Sequence, residues 1–126
     1  MGTGIYVSQA ALDIVDVEIS GAKNAAVEFD SGAGGSLLAS DLFDNFGSAL
    51  VIRAGAEPRI NHNRFARNAT AEASTAWLIV DSGAAPRFDA NTFDGLRPES
   101  FPHLRERNWF IAPPASVQPE PRRGRK

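Results

Sequence analysis

Apolar residues recur at matching positions four times along the chain, in short segments bounded by Gly, Pro, Asn, Asp and Ser. The first matching set is Ile5, Val27, Leu50 and Leu78, and a second set follows two residues later at Val7, Phe29, Ile52 and Val80. Apolar positions two residues apart indicate β-strands, because successive side chains of a strand point to opposite faces. The segments are too short for helices and rich in β-branched and aromatic residues. The pattern therefore predicts an all-β protein.

Two more matching sets complete each repeat. They are Ile14, Leu38, Ile60 and Phe88, followed by Ile19, Phe43, Phe65 and Phe93. Three short strands that recur every 22 to 28 residues are typical of a single-stranded parallel β-solenoid, here of about four coils. Each coil cannot bury its apolar side chains alone, so equivalent side chains should stack, with Phe65 on Phe93.

The third and fourth repeats share a segment that is nearly identical in sequence. It reads GAEPRINHNRF from Gly55 to Phe65 and GAAPRFDANTF from Gly83 to Phe93. The shared motif resembles the right-handed parallel β-helix repeats of pectate-lyase-like proteins and of carbohydrate-binding or sugar-hydrolase domains. Related repeats occur as modules of larger bacterial signalling proteins, including some serine/threonine kinases. The resemblance implies a right-handed parallel β-helix, whereas the repeat itself encodes packing and specifies function poorly.

The repeats predict three segments. Residues 4–95 form the β-helix, residues 96–111 a short C-terminal cap, and residues 112–126 a Pro-rich, basic, disordered tail. Within the cap, HLRERNWFI is expected to form a short amphipathic helix or turn with an apolar side made of Leu104, Trp109, Phe110 and Ile111. An insertion at 69–76 lengthens the third repeat, and an insertion in a solenoid becomes a surface loop, often on the binding face.

The first repeat begins almost at Met1, with nothing before it that could cover the end of the stack. An uncovered end of stacked strands promotes aggregation. We therefore expect either that the sequence is a module of a larger, bacterial protein, which we favour, or that the open N-terminal coil associates with another copy.

Composition narrows the range of partners. The chain has 126 residues, a net charge of −2 and no cysteine, which excludes disulfides and thiolate metal sites. The last eight residues carry a charge of +3 and the other 118 carry −5. This mildly acidic body argues against nucleic acid as the partner. No apolar run approaches the roughly 20 residues of a membrane span.

Two arginines are the leading candidates for ligand binding. Arg59 and Arg87 both follow the repeated proline and should project outward, one above the other. Adjacent like charges do not stabilise a sheet, and two guanidinium groups could bind a carboxylate or a uronic acid through paired hydrogen bonds. The alternative is that they lie along the sheet and pair with Asp89 or Glu57.

The other candidates are His62, Asp89 and Trp77. His62 lies in the turn NHN, Asp89 follows the second arginine, and Trp77, at the edge of the insertion, could stack on a sugar or pack against the sheet. Asn63 and Asn91, with Asp41 in the matching place, are expected to form a ladder that stabilises a turn. Asp30 and Asp81 flank Arg53 in the matching positions, which predicts a surface charge ladder and a poor calcium site.

No catalytic constellation, metal site or cofactor site is predicted. The leading hypothesis is a non-catalytic interaction module that binds a carbohydrate or a protein. One alternative is a small or fragmentary polysaccharide lyase or hydrolase that uses Arg59, Arg87, Asp89 and His62. The other is a self-assembling structural scaffold.

Overall fold

The computed structural model describes residues 3–69 and 74–112. The described residues form thirteen β-strands and no α-helix. The strands are β1 (Thr3–Val7), β2 (Ala11–Val15), β3 (Glu18–Ile19), β4 (Ala25–Phe29), β5 (Gly34–Leu38), β6 (Asp41–Phe43), β7 (Ser48–Ile52), β8 (Arg59–Asn61), β9 (Arg64–Ala66), β10 (Leu78–Val80), β11 (Arg87–Asp89), β12 (Thr92–Asp94) and β13 (Trp109–Ile111).

Every strand pairs in parallel with strands from the neighbouring repeats. The first sheet has the order β1-β4-β7-β10, the second β2-β5-β8-β11, and the third β3-β6-β9-β12-β13. Each of the first four repeats therefore gives one strand to each sheet. The predicted all-β class is confirmed, and all three sheets are parallel.

The stacked apolar rows follow from the register of these sheets. In the first sheet Ile5, Val27, Leu50 and Leu78 are partners, and so are Val7, Phe29, Ile52 and Val80, as the sequence predicts. The predicted pair of Phe65 and Phe93 is also confirmed, with ring centroids 5.0 Å apart. A single buried core cluster contains residues from all three sheets.

Two residues of the second repeat were assigned wrongly from the sequence. Leu37, not Leu38, pairs with Ile14 and Ile60, and Leu42, not Phe43, pairs with Ile19 and Phe65. Leu37 and Leu42 are fully buried, whereas Leu38 and Phe43 are half-buried on the other face of their strands. Each pair consists of two adjacent apolar residues, and the alternation of strand side chains permits only one of them to face the core.

The same one-residue shift corrects the polar ladder. Ser40, rather than Asp41, occupies the place below Asn63, because the amide of Ser40 donates to Asn63 Oδ1 at 2.9 Å. Asn63 Nδ2 donates to Asn91 Oδ1 at 3.0 Å, and Asn91 Nδ2 donates to Asn108 Oδ1 at 2.9 Å. The three asparagines are buried. Asp41 lies outside the ladder and forms an ion pair with Arg64 instead.

The repeated Gly-Ala of the sequence marks the turn between the first and second sheets. Gly32, Gly55 and Gly83 have φ of 76°, 88° and 94°, a conformation that glycine adopts without strain. The alanine after each of the three glycines donates its amide to the carbonyl two residues before the glycine, at 3.0 to 3.1 Å. The motif therefore encodes a turn, which explains why it recurs.

The segment after the fourth repeat contains turns, one of the two predicted alternatives, and not an α-helix, and it ends in a strand that was not predicted. Short 3-10 turns span Pro98–Ser100 and Pro102–Leu104, and β13 then adds a fifth strand to the third sheet. Leu104 is buried and Phe110 stacks on Phe93 at 4.8 Å. Trp109 and Ile111 are exposed, since they lie on the outer face of β13.

Two of the predicted segments are only partly described. The predicted insertion at 69–76 falls between β9 and β10, where Ser74–Trp77 form a 3-10 turn and residues 70–73 lie outside the described residues. Residues 113–126 of the predicted disordered tail also lie outside them. The three-segment division stays a prediction.

Candidate functional site

Arg59 and Arg87 lie side by side on the outer face of the second sheet. They are register partners in β8 and β11, and both are exposed. Their strand neighbours Ile60 and Phe88 point into the core, so alternation directs the arginines outward. Among residues 3–69 and 74–112, neither guanidinium lies within 4 Å of a carboxylate oxygen, the distance of an ion pair. Neither cation is therefore held in an ion pair within this part of the chain.

A shallow groove runs past both arginines in the direction in which the strands stack. Its central depression, of about 220 Å³, is lined by Arg59, Asn61, Arg87 and Asp89. On one side it continues, through Arg59 and Asn61, into a depression of about 390 Å³ that also contains Asp13, Ser36, Leu38 and Glu57. On the other side it continues, through Arg87 and Asp89, towards the last repeat. We call the two depressions that contain Arg59 the arginine groove.

The arginine groove offers both donors and acceptors. The Ser36 hydroxyl donates to Asp13 Oδ1 at 2.8 Å. Asn61 Oδ1 is buried and accepts no hydrogen bond from any described residue. A buried acceptor without a donor is costly.

The carboxylates considered as partners of the arginines are engaged elsewhere or unpaired. Asp89 accepts a hydrogen bond from Arg107 Nε, which belongs to the segment after the fourth repeat. Glu57 is exposed and forms no ion pair with the described residues. The predicted alternative, in which Asp89 or Glu57 neutralises Arg59 and Arg87, is therefore not the arrangement in the structure.

His62 occupies a structural corner between the second and third sheets. Its φ is 58°, and Asp16, Ala39 and Ala90 adopt the same left-handed conformation at the equivalent corners. The His62 amide donates to the Asp89 carbonyl at 3.1 Å. The imidazole is exposed and is not among the residues that line the arginine groove.

Trp77 is placed away from the groove. Its side chain is only 6% exposed and belongs to the core cluster. The ring approaches Gly95, where an added methyl group would lie 3.8 Å from it. A ring in this position packs the core and presents no face to a sugar.

One exposed aromatic residue was not recognised as such from the sequence. Trp109 is 61% exposed on the outer face of β13. The signal that could have placed it is a third Asn-x-Phe sequence, since Asn108, Trp109 and Phe110 repeat the pattern of Asn63-Arg64-Phe65 and Asn91-Thr92-Phe93.

Several other charged residues form contacts across the repeats. Arg53 lies 3.2 Å from Glu28 and 3.7 Å from Asp81, so the predicted contact with Asp81 is present. Asp30, the other predicted partner, accepts a hydrogen bond from the Tyr6 hydroxyl. That bond lowers the pKa of Asp30 and raises the pKa of Tyr6. Glu28 and Asp81 therefore both contact Arg53, and Asp30 contacts Tyr6.

Among residues 3–69 and 74–112, no group of three or more His, Asp or Glu side chains is placed to hold a metal ion. No helix within that part of the chain is long and apolar enough to cross a membrane.

Comparison with known proteins gave no match to a family model, to a curated protein or to a solved structure.

Proposed function

We propose that the protein is a right-handed parallel β-helix and serves as a non-catalytic module that binds an acidic polysaccharide along the arginine groove. The proposed fold is supported by the three parallel sheets, each of which takes every third strand from β1 to β12. It is also supported by the resemblance of the repeated GAxPR segment to β-helix repeats.

The pair of Arg59 and Arg87 is the observation that carries the functional proposal. Like charges placed directly opposite each other on a sheet are destabilising, and the described residues offer these two no ion-pair partner. Neighbouring strands lie about 4.8 Å apart, so the two arginine side chains leave the sheet at about that spacing. Each can bind a carboxylate through two parallel hydrogen bonds.

The direction of the groove favours a polysaccharide over a peptide. The groove crosses the strands of the second sheet, so a ligand along it meets side chains of successive repeats and not the backbone edge of a strand. A peptide that adds to a sheet binds along an edge.

A titration with oligogalacturonides, followed by calorimetry, tests the proposal. We expect binding that weakens with salt and falls about tenfold or more, equivalent to ~1.4 kcal/mol, in Arg59→Ala and Arg87→Ala. Arg97→Ala is the matched control, because Arg97 is exposed and outside the groove. Neutral malto-oligosaccharides should not bind.

Three results would contradict the proposal. Equal binding by the arginine variants and the wild type would exclude the groove. Release of unsaturated products from the oligogalacturonides would show a lyase instead of a binding module. Binding of poly-glutamate in place of the oligogalacturonides would replace the polysaccharide with an acidic peptide as the ligand.

A further inference from the structure

The first sheet ends in an apolar edge strand. The third sheet has five strands because β13 extends it, whereas β10 is the last strand of the first sheet and β11 the last strand of the second. β10 consists of Leu78, Ile79 and Val80, with no charged residue. Natural proteins usually protect such edges with charges, proline or a covering segment. Among the described residues, β10 has no strand on its outer side.

The exposure of Val80 shows that the core is incompletely covered at this end. Val80 belongs to the core row that contains Phe29 and Ile52, which are fully buried, yet its own side chain is 41% exposed. The difference arises because no fifth residue of the row stacks on it in the described part of the chain. The geometry therefore leaves room for one more strand with an apolar side chain above Val80.

A pocket of about 500 Å³ adjoins the end of β10 at Val80 and extends along β11. Its floor is apolar, formed by Val80, Phe88 and Leu104. A smaller depression of about 270 Å³ shares these three residues and reaches Leu78 and Phe101. The volume is within the usual range for ligand sites.

The rim of this end pocket is polar and carries two arginines. Arg87, His103 and Arg107 line it together with Asp89. Asp89 is already bound to Arg107, while Arg87 has no ion-pair partner among the described residues. The unpaired charge at the rim is therefore positive.

We propose that the end pocket binds an extended acidic peptide that adds to the first sheet beside β10, with one apolar side chain on Val80 and one carboxylate near Arg87. The open edge supplies main-chain hydrogen bonds, and the pocket supplies selectivity for alternate side chains. An acidic partner is selected by the charge of Arg87. This interaction shares Arg87 with the proposed polysaccharide site, but it does not depend on polysaccharide binding.

The experiment uses a fluorescein-labelled peptide of sequence Thr-Val-Glu-Val-Thr-Val-Thr and the complete 126-residue chain, followed by fluorescence anisotropy. We expect saturable binding, and about tenfold weaker binding when lysine replaces glutamate in the peptide. A version with proline in place of the central valine should not bind, because proline cannot donate to a sheet.

Val80→Glu and Ile79→Glu form a matched pair of variants. The two residues are adjacent in β10 and similarly exposed, at 41% and 39%, but point to opposite faces of the strand. Val80→Glu should weaken peptide binding about tenfold or more, and Ile79→Glu should leave it within about twofold. Equal effects of the two variants, or no binding by the wild type, would overturn the proposal.

Three further measurements test whether an acidic peptide is the occupant of the end pocket. Arg59→Ala should bind the peptide normally even if it no longer binds oligogalacturonide, which distinguishes the two proposals. Deletion of residues 113–126 should leave the affinity unchanged; a large gain would make the chain's own C-terminal segment the occupant and overturn the proposal. Sedimentation should show a monomer, since a dimer broken by Val80→Glu would make a second copy the occupant.

Discussion

The rings of Phe65 and Phe93 are stacked, with centroids 5.0 Å apart and planes 9° from parallel. They occupy the same position in successive strands of the third sheet. Both are fully buried. Phe110 continues the stack on the far side of Phe93. Phe93 therefore contacts an aromatic ring on both sides.

Phe93→Ala should lower the free energy of unfolding by about 3–5 kcal/mol, since it removes a buried ring and leaves a cavity between two others. Urea denaturation followed by circular dichroism measures the change. Phe46→Ala is the control, because Phe46 is 59% exposed and its loss should cost less than about 0.5 kcal/mol. Similar losses in the two variants would show that the aromatic stack contributes little.

Most of the strand register could be predicted from the sequence. The rows through Val27 and Phe29 are correct because Glu28 separates these two apolar residues and so indicates which face of the strand is apolar. In the second repeat, Leu37-Leu38 and Leu42-Phe43 offer two apolar residues side by side. Only the tertiary structure decides which one faces the core, so the sequence alone could not resolve a shift of one residue.

This shift leads to a second prediction. Leu42→Ala should cost about 2–5 kcal/mol of stability, because Leu42 is fully buried between Ile19 and Phe65. Phe43→Ala should cost less than half as much, although it removes a larger side chain, because Phe43 is half-buried on the outer face. The same denaturation measurement applies. A larger loss in Phe43→Ala would reverse the assigned register.

The candidate site could be predicted in part. The repeated Pro-Arg placed Arg59 and Arg87 together, because equivalent positions of the repeat become neighbours. Trp77 could not be placed, since the equivalent positions hold Ala26 and Ala49, which do not indicate where a large ring would lie. The end pocket could not be predicted from the sequence either, because it depends on β13 extending only one of the three sheets.

The asparagine ladder supports a third prediction. Asn91 accepts from the Asn63 amide at 2.9 Å and donates to the Ile60 carbonyl at 2.7 Å. Asn91→Ala would leave both buried groups without these partners, at about 1–3 kcal/mol for each. We expect a loss of several kcal/mol in urea denaturation, whereas Asn24→Ala, at an exposed position, should change stability by less than about 0.5 kcal/mol. A small loss in Asn91→Ala would mean that water replaces the amide.

The hydrogen bond from Tyr6 to Asp30 predicts a pH dependence at both ends of the scale. The bond lowers the pKa of Asp30. The stability gained from the bond to the ionised carboxylate is therefore present above the unfolded pKa of about 3.9 and is lost as pH falls through the folded pKa. The bond also raises the pKa of Tyr6. The stability gained from the protonated hydroxyl is therefore present below the unfolded pKa of about 10 and is lost as pH rises through the folded pKa.

Tyr6→Phe removes the hydroxyl and tests this dependence. The difference in unfolding free energy between the wild type and Tyr6→Phe should be constant from about pH 5 to about pH 9 and should shrink outside that window. Urea denaturation at a series of pH values measures it. Asn24→Ala is the control: its difference in unfolding free energy from the wild type should not show this dependence on pH. A Tyr6→Phe difference that is independent of pH would contradict the hydrogen bond.

The last prediction is that Arg59 strengthens ligand binding but does not increase the free energy of unfolding. Replacing Arg59 by threonine removes one of two like charges that face each other in β8 and β11, and it introduces a residue suited to strands. We expect Arg59→Thr to raise the free energy of unfolding by about 0.2–1 kcal/mol while it weakens oligogalacturonide binding. Arg97→Thr, outside the sheets, should change neither quantity. The gain should diminish at high salt, because screening weakens the repulsion that the substitution removes. If Arg59→Thr instead lowered stability, the arginine would have a structural role and the strongest argument for a ligand at this position would be lost.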